Sequence, residues 1–342
     1  VKLIITADWH LGAGLPKAWG RHADARRTER TAAILQIIEY ARTSGAQYLL
    51  VAGDIADCPE PVPDAIVNEL ASLSADTGGR CRPVLFFTSA DHDRQRAWWS
   101  GDMLTSAESA DRALKPCQGQ PPFRPTSSSL QTDYVFISVH EALPRDVVKI
   151  DVPAGLPWVA LVHRRHLNGG ALKDLAARAT FVACGDRHDQ EELTPGRAWY
   201  VGSPTFRDLS SFDEGPRGFL DVDISKDHEV RVTPKSIVTP LSATVAVSRR
   251  GAVRCTPPVE PPTTDPIEAA KNLLRRHRYV RIRTIKEGVS ALQARCRQIE
   301  DVDVIRWPGR GRTATVLLVG PPVESANASD DRNGEDPQIR QA

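Results

Sequence analysis

No stretch of this 342-residue chain approaches the roughly 20 consecutive apolar residues that a membrane-crossing helix needs. A helical membrane protein is thereby excluded. Paired cysteine spacing is also missing. Cys58, Cys81, Cys117, Cys184, Cys255 and Cys296 lie far apart, which speaks against a disulfide framework or a zinc finger and for reduced thiols in a cytosolic enzyme. Val1-Lys2-Leu3 leads straight into an apolar run without the layout of a signal peptide, so a cytoplasmic location is expected. Net charge is nearly absent. A formal +1 gives the whole molecule no attraction to a polyanion, and nucleic-acid binding would need a local basic surface. What remains is ordinary for a globular protein, at 41% hydrophobic and 25% charged residues. The length suffices for one large or two modest domains with buried cores.

Against this plain background, short motifs rich in Asp, His and Gly recur directly after short apolar runs. Run 2–6 leads to Asp8 and His10, and run 48–52 leads to Gly53 and Asp54. Run 84–88 leads to Asp91, His92 and Asp93, and run 158–162 to His163. Run 180–184 leads to Gly185, Asp186 and His188, and run 199–201 to Gly202 and Ser203. Apolar runs of this length bounded by polar turns read as buried strands. Ligands of an open α/β sheet bind beyond the carboxyl ends of its strands, so all the motifs fall on one edge of the fold. Carboxylates and imidazoles gathered there are the donor set of a divalent-metal site. Singly, each motif reads as an ordinary turn or a satisfied structural histidine. Their joint order after strands is what points to a site.

Ile34, Ile37, Ile38 and Ala41 fall at helical spacing and Thr43-Ser44-Gly45 supplies a stop, giving a strand–helix–strand unit over residues 2–52. Further helices are expected over 63–73 and 171–179, and residues 95–129, with Trp98-Trp99 and a Pro/Ser-rich stretch, read as helix and loop over one rim of the site. Strands 219–224 and 229–233 close this part. Near Leu241 the character changes: a short strand at 243–247, a Pro/Thr-rich segment over 255–266, helix 267–276, strand 279–284, helix 289–299 and two more strand candidates. Residues from about Pro321 are acidic and without periodicity, and read as a disordered tail. A local basic surface has two candidates: Arg21, His22, Arg26, Arg27 and Arg30, and the run Arg275, Arg276, His277, Arg278, Arg281 and Arg283. The first group serves equally well as the solvated face of a helix.

The order Asp8-x-His10, Gly53-Asp54, Ala90-Asp91-His92-Asp93, His163 and Gly185-Asp186-Arg187-His188 resembles the calcineurin-like metallophosphoesterase superfamily. The opening Thr6-Ala7-Asp8-Trp9-His10-Leu11-Gly12, and Tyr200-Val201-Gly202-Ser203-Pro204 followed by Gly218-Phe219, resemble its SbcD-type DNA repair nucleases. The resemblance implies an α/β fold: a four-layer αββα metallophosphoesterase sandwich over residues 1–238, a small C-terminal α/β capping domain over 239–320, and the acidic tail 321–342. It implies two divalent ions, Mn²⁺ first and Mg²⁺ as the alternative. Asp54 would bridge them, Asp8, His10 and His188 would complete one site, and Asp91, His163 and Asp186 the other. His166 is the alternative to His163. His92 would protonate the leaving oxygen, Asp93 would orient an imidazole, and Arg21, Arg26, Arg27 and Arg207 would meet DNA. Asp91 and Asp186 stand where the family usually has Asn and His, an oxygen-rich change that should favour Mn²⁺ or Mg²⁺ over zinc. The implied activity is 3′-to-5′ exonuclease and single-strand endonuclease cleavage of DNA in repair or recombination. The implied partners are a second copy of the chain and an SbcC-type ABC ATPase, with no membrane. The alternative is a phosphoesterase acting on small nucleotides or phosphoproteins.

Overall fold

The computed structural model describes residues 1–11, 17–55, 63–75, 82–86, 127–131, 133–140, 152–163, 169–206, 217–237, 242–248, 252–256, 262–285, 288–307 and 313–320. Asp91, His92, Asp93, His166, Arg207, most of the 95–129 rim and the tail 321–342 lie outside the described residues. The chain is a mixed α/β protein of two compact units, Val1–Thr239 and Pro240–Ala342.

In the first unit, β1 (Lys2–Thr6), β2 (Tyr48–Ala52) and β3 (Arg82–Phe86) run parallel, and β10 (Gly218–Ile224) and β11 (Val230–Ser236) add antiparallel strands, in the order β11-β10-β1-β2-β3. A second sheet has the order β4-β5-β6-β7-β9-β8. Its members are β4 (Ser127–Gln131), β5 (Phe136–His140), β6 (Trp158–His163), β7 (Phe181–Gly185), β8 (Glu191–Thr194) and β9 (Ala198–Tyr200). Strands β5, β6, β7 and β9 are parallel, and β4 and β8 are antiparallel edges.

Side chains alternate between the faces of a strand, and the central strands are apolar on both. Leu3, Ile5, Leu50 and Ala52 of the first sheet share one buried cluster with Val159, Leu161, Phe181 and Ala183 of the second. On the opposite face of the first sheet, Ile4, Leu49 and Val51 pack with Ile34, Ile37 and Ile38 of α1 (Ala23–Thr43) and with Ile66 and Leu70 of α2 (Asp64–Ala75). The outer face of the second sheet, through Trp158, Ala160 and Val182, packs with Leu175 and Ala176 of α3 (Gly169–Arg178). Each fully buried Leu, Ile or Val is worth about 1.5–3 kcal/mol relative to exposure. These clusters fix the register that brings the strand ends together.

The second unit is built on a sheet of order β13-β12-β14-β16-β15, namely β12 (Ser242–Val247), β13 (Val253–Thr256), β14 (Tyr279–Ile285), β15 (Asp303–Trp307) and β16 (Thr313–Val319). Val245, Val280, Ile282, Val316 and Leu318 pack with Ile267 and Leu273 of α4 (Pro266–Leu274) and Val289 and Leu292 of α5 (Val289–Cys296). Asp265 caps α4, accepting from the Ile267 N–H at 2.8 Å, with Pro266 in the first turn.

Some elements depart from expectation. Strand β3 starts at Arg82, two residues before the expected run, because parallel pairing with β2 extends from Tyr48↔Arg82 to Ala52↔Phe86. Pro83 is tolerated there because β3 is an edge strand. The Ser-rich end of the expected rim forms edge strand β4 against β5, and Cys255 and Thr256 of the expected Pro/Thr-rich segment belong to β13. In each case cross-strand pairing overrides a weak local preference. Among the described residues no helix is long and apolar enough to cross a membrane.

Candidate metal centre

Parallel neighbours β1 and β2 end side by side, Thr6 opposite Val51. The chain beyond them stays paired: Asp8 N–H donates to the Gly53 carbonyl at 3.0 Å, His10 to Asp54 at 2.8 Å and Leu11 to Ile55 at 2.9 Å. Between the two candidate ligands, Trp9 is 1% exposed and its Nε1 donates to Thr6 Oγ1 at 2.9 Å, anchoring the turn in the core. On the second sheet, His163 at the end of β6 lies opposite Gly185 at the end of β7. Backbone strain collects at this edge. Asp8, His10, Asp54 and Asp186 have φ of 53°, 47°, 49° and 70°, four of the six non-glycine residues with positive φ among those described. A left-handed conformation costs a non-glycine residue about 1–2 kcal/mol, and such strain gathers at functional sites.

Two groups result whose donor atoms lie within 4.8 Å of one another: Asp8, His10 and His188, and Asp8, Asp54 and His163. The first group coincides with the three residues expected to complete one metal site. In the second, Asp8 stands beside Asp54, so Asp8 is common to both groups. Asp54 also reaches both sides, its Oδ2 lying 3.6 Å from His10 Nε2 and 3.4 Å from His163 Nε2. Asp186 meets the cluster through its main chain, its N–H donating to Asp8 Oδ1 and Oδ2 at 3.0 and 3.1 Å, and its carboxylate is in neither group.

The donor set fits a divalent cation. His10 and His188 bring their Nε2 atoms to 3.2 Å in an edge-on arrangement. That is about the separation of two imidazole nitrogens bound to one ion at 2.0–2.1 Å. His163 Nδ1 lies 2.8 Å from the Ala52 carbonyl, which can only accept, so Nδ1 carries the proton and Nε2 faces Asp8 and Asp54 as a lone-pair donor. Gly185 makes this possible, since a Cβ there would fall 2.6 Å from His163 Nδ1. Without a cation the site holds protons instead. Burial raises the Asp8 carboxyl far above the carboxylate range, with the His163 charge and the Asp186 N–H opposing and the Asp54 charge adding to the rise. Burial alone would lower His163, but the Asp54 hydrogen bond and the charges of Asp8 and Asp54 outweigh it and the ring is raised. A metal would displace these protons.

The arginines separate. Arg21 is exposed, and Arg27 is partly exposed and pairs with Asp24 at 2.6 Å. Arg26 is 0% exposed, its guanidinium 3.6 Å over the Phe206 ring and donating to the Phe206 carbonyl at 2.7 Å. The expected DNA contact by Arg26 is therefore corrected: its charge is consumed inside the protein, tying α1 to the segment after β9. Arg30 is 3% exposed and likewise buried. The missed signal was helical spacing, since Arg26 and Arg30 continue the buried Ile34–Ile37–Ala41 face of α1 by steps of four. In the second basic run, Arg275, Arg276 and Arg283 are exposed, whereas His277 and Arg281 are buried.

No family model matches the chain, and no curated protein does. It is similar to a solved structure described as a crystal structure of a hypothetical protein from Thermus thermophilus, at 12% identity and a TM-score of 0.41, over 69% of this chain and 98% of that one. At that level the likeness carries no argument about fold or function.

Proposed function

We propose that this chain is a divalent-metal-dependent phosphodiesterase, a DNA nuclease of the SbcD type in the calcineurin-like metallophosphoesterase superfamily. Its two units would then be the four-layer αββα catalytic sandwich and the capping domain. The observation that carries this reading is the pair of Asp/His groups, buried except at half-buried His188, that share Asp8 beyond the carboxyl ends of β1, β2, β6 and β7. Charge distribution supports a polyanionic substrate. Residues 240–320 carry 15 Lys and Arg against 7 Asp and Glu, although the whole chain is only +1.

Asp8, His10, Asp54, His163 and His188 would hold divalent ions, two Mn²⁺ on this reading, which would supply charge against the phosphate and lower the pKa of water so that hydroxide is available as nucleophile. The residues of the chain supply the rest. His163, fixed by the Ala52 carbonyl, keeps Nε2 turned inward beside Asp8 and Asp54, while His10 and His188 close the other side with Asp8. Asp91 and Asp186 contribute further oxygens. His92 protonates the leaving oxygen and Asp93 orients an imidazole. Arg21 and Arg27, with Arg207, meet backbone phosphates. Homodimerisation and docking to an SbcC-type ATPase in the cytoplasm complete the proposal.

The test is incubation with linear duplex DNA, single-stranded circles and a generic aryl phosphodiester under Mn²⁺, Mg²⁺ or EDTA. Cleavage of both DNAs with Mn²⁺ and none with EDTA is expected. Turnover of the small ester without DNA cleavage would move the substrate to small nucleotides, and inertness under every metal would sink the reading.

A further inference from the structure

The carbonyl oxygens of Asp8, His10 and His188, the three members of one metal group, are each gripped by a side-chain donor from elsewhere in the chain. Ser203 Oγ, 1% exposed, lies 2.9 Å from the Asp8 carbonyl and 2.5 Å from that of Thr205, so its single proton is shared between them. Its own N–H donates to the His188 carbonyl at 2.9 Å. Arg30 Nη1, buried on α1, donates to the His10 carbonyl at 3.3 Å, and Arg217 Nη1 donates to the His188 carbonyl. These donors come from α1, the segment after β9 and the residue just before β10, all outside the loops whose carbonyls they hold. They act on a backbone that is strained at Asp8 and His10.

We propose that Ser203, Arg30 and Arg217 are positioning residues that hold the main chain of the Asp8, His10 and His188 loops in the metal-binding conformation, an inference that rests on the metal reading above. Local sequence cannot hold that conformation. Left-handed Asp and His relax to ordinary φ when nothing opposes them. A carbonyl held by a charged donor cannot rotate without breaking a charge-assisted hydrogen bond, which is stronger than an ordinary one. The clamp thus places the donor atoms before any ion arrives, and affinity gains because ordering costs nothing at the moment of binding. It also explains why two arginines lie on the buried face of α1: Arg30 holds the ligand loop, and Arg26 holds Phe206, three residues beyond Ser203.

The experiment is calorimetric titration of the metal-free full-length chain with Mn²⁺, for the wild type, Ser203→Ala, Arg30→Met and, as a buried control outside the site, Ser138→Ala, which loses the acceptor of Trp158 Nε1. Thermal unfolding of each is followed without metal. The clamp predicts folded Ser203→Ala and Arg30→Met chains whose Mn²⁺ affinity falls about ten- to a hundredfold. Ser138→Ala should lose stability with wild-type affinity. Wild-type affinity in both clamp variants overturns the proposal alone. A clamp variant that unfolds without metal assigns that residue to the fold and also overturns it. Absence of Mn²⁺ binding by the wild type instead sinks the metal reading, and the clamp with it.

Discussion

Gly185 makes room for His163. A Cβ at Gly185 would come within 2.6 Å of His163 Nδ1 and closer still to the Ala52 carbonyl that Nδ1 binds. Three strands meet at this point: β2 supplies the carbonyl, β6 the imidazole and β7 the missing side chain. The ring is held by backbone on one side so that its other nitrogen faces two carboxylates.

Gly185→Ala should therefore displace His163. Overpacking of a buried site costs about 1–3 kcal/mol, and the lost Nδ1 hydrogen bond should weaken Mn²⁺ binding as well. Urea unfolding and metal titration of the same variant report both. Wild-type values in both would show that the ring does not need this space.

Metal removal should lower thermal stability. A cation binding only the folded state at a hundred times its Kd contributes about 2.7 kcal/mol, and about 2–4 °C in Tm follows from each kcal/mol in domains of 150–250 residues. A melt after EDTA dialysis, repeated with Mn²⁺ restored, should shift by several degrees. Equal melting temperatures would count against a bound ion.

His92 and Asp54 should fail differently. His92→Asn is expected to lose most DNA cleavage while bound metal is retained, because its assigned task is a proton and not coordination. Asp54→Ala should lose metal and cleavage together. Metal content measured on both purified variants decides, and equal loss in the two would contradict the roles.

At the other end of the chain, Asp265 ties α4 to acid stability. The Ile267 N–H bond, with Arg295 adding, holds its carboxyl below the usual value. A lowered carboxyl contributes stability that is full above its unfolded value near 3.8 and lost as pH falls through the folded value. Asp265→Ala should weaken this helix by about 1 kcal/mol at neutral pH and Asp265→Asn by less. Amide hydrogen exchange over Pro266–Leu274 is the measurement, and unchanged protection in Asp265→Ala would refute the cap.

The sequence by itself determined the central strands, the long helix and the placing of Asp8, Asp54 and His163 at strand ends. Buried parallel strands are continuous apolar runs, so β1, β2 and β6 are visible as such, and polar residues directly after them can only lie at strand ends. Edge strands such as β4 and β13 pair on one side only among the described residues and have little apolar content, so their partners define them. Tertiary structure alone decided that Asp8 is common to both candidate metal groups, because that depends on how the loops after β1, β2, β6 and β7 converge across two sheets. It also decided the fate of the arginines. Charge suggested that Arg26 and Arg30 face solvent or DNA, but they lie on the packed stripe of α1 and spend their donors on the carbonyls of Phe206 and His10. A charged side chain reads as surface until its partners are known. Glu29 pairs with Arg26 one turn along α1, but the carbonyls of Phe206 and His10 lie where no local sequence pattern records them.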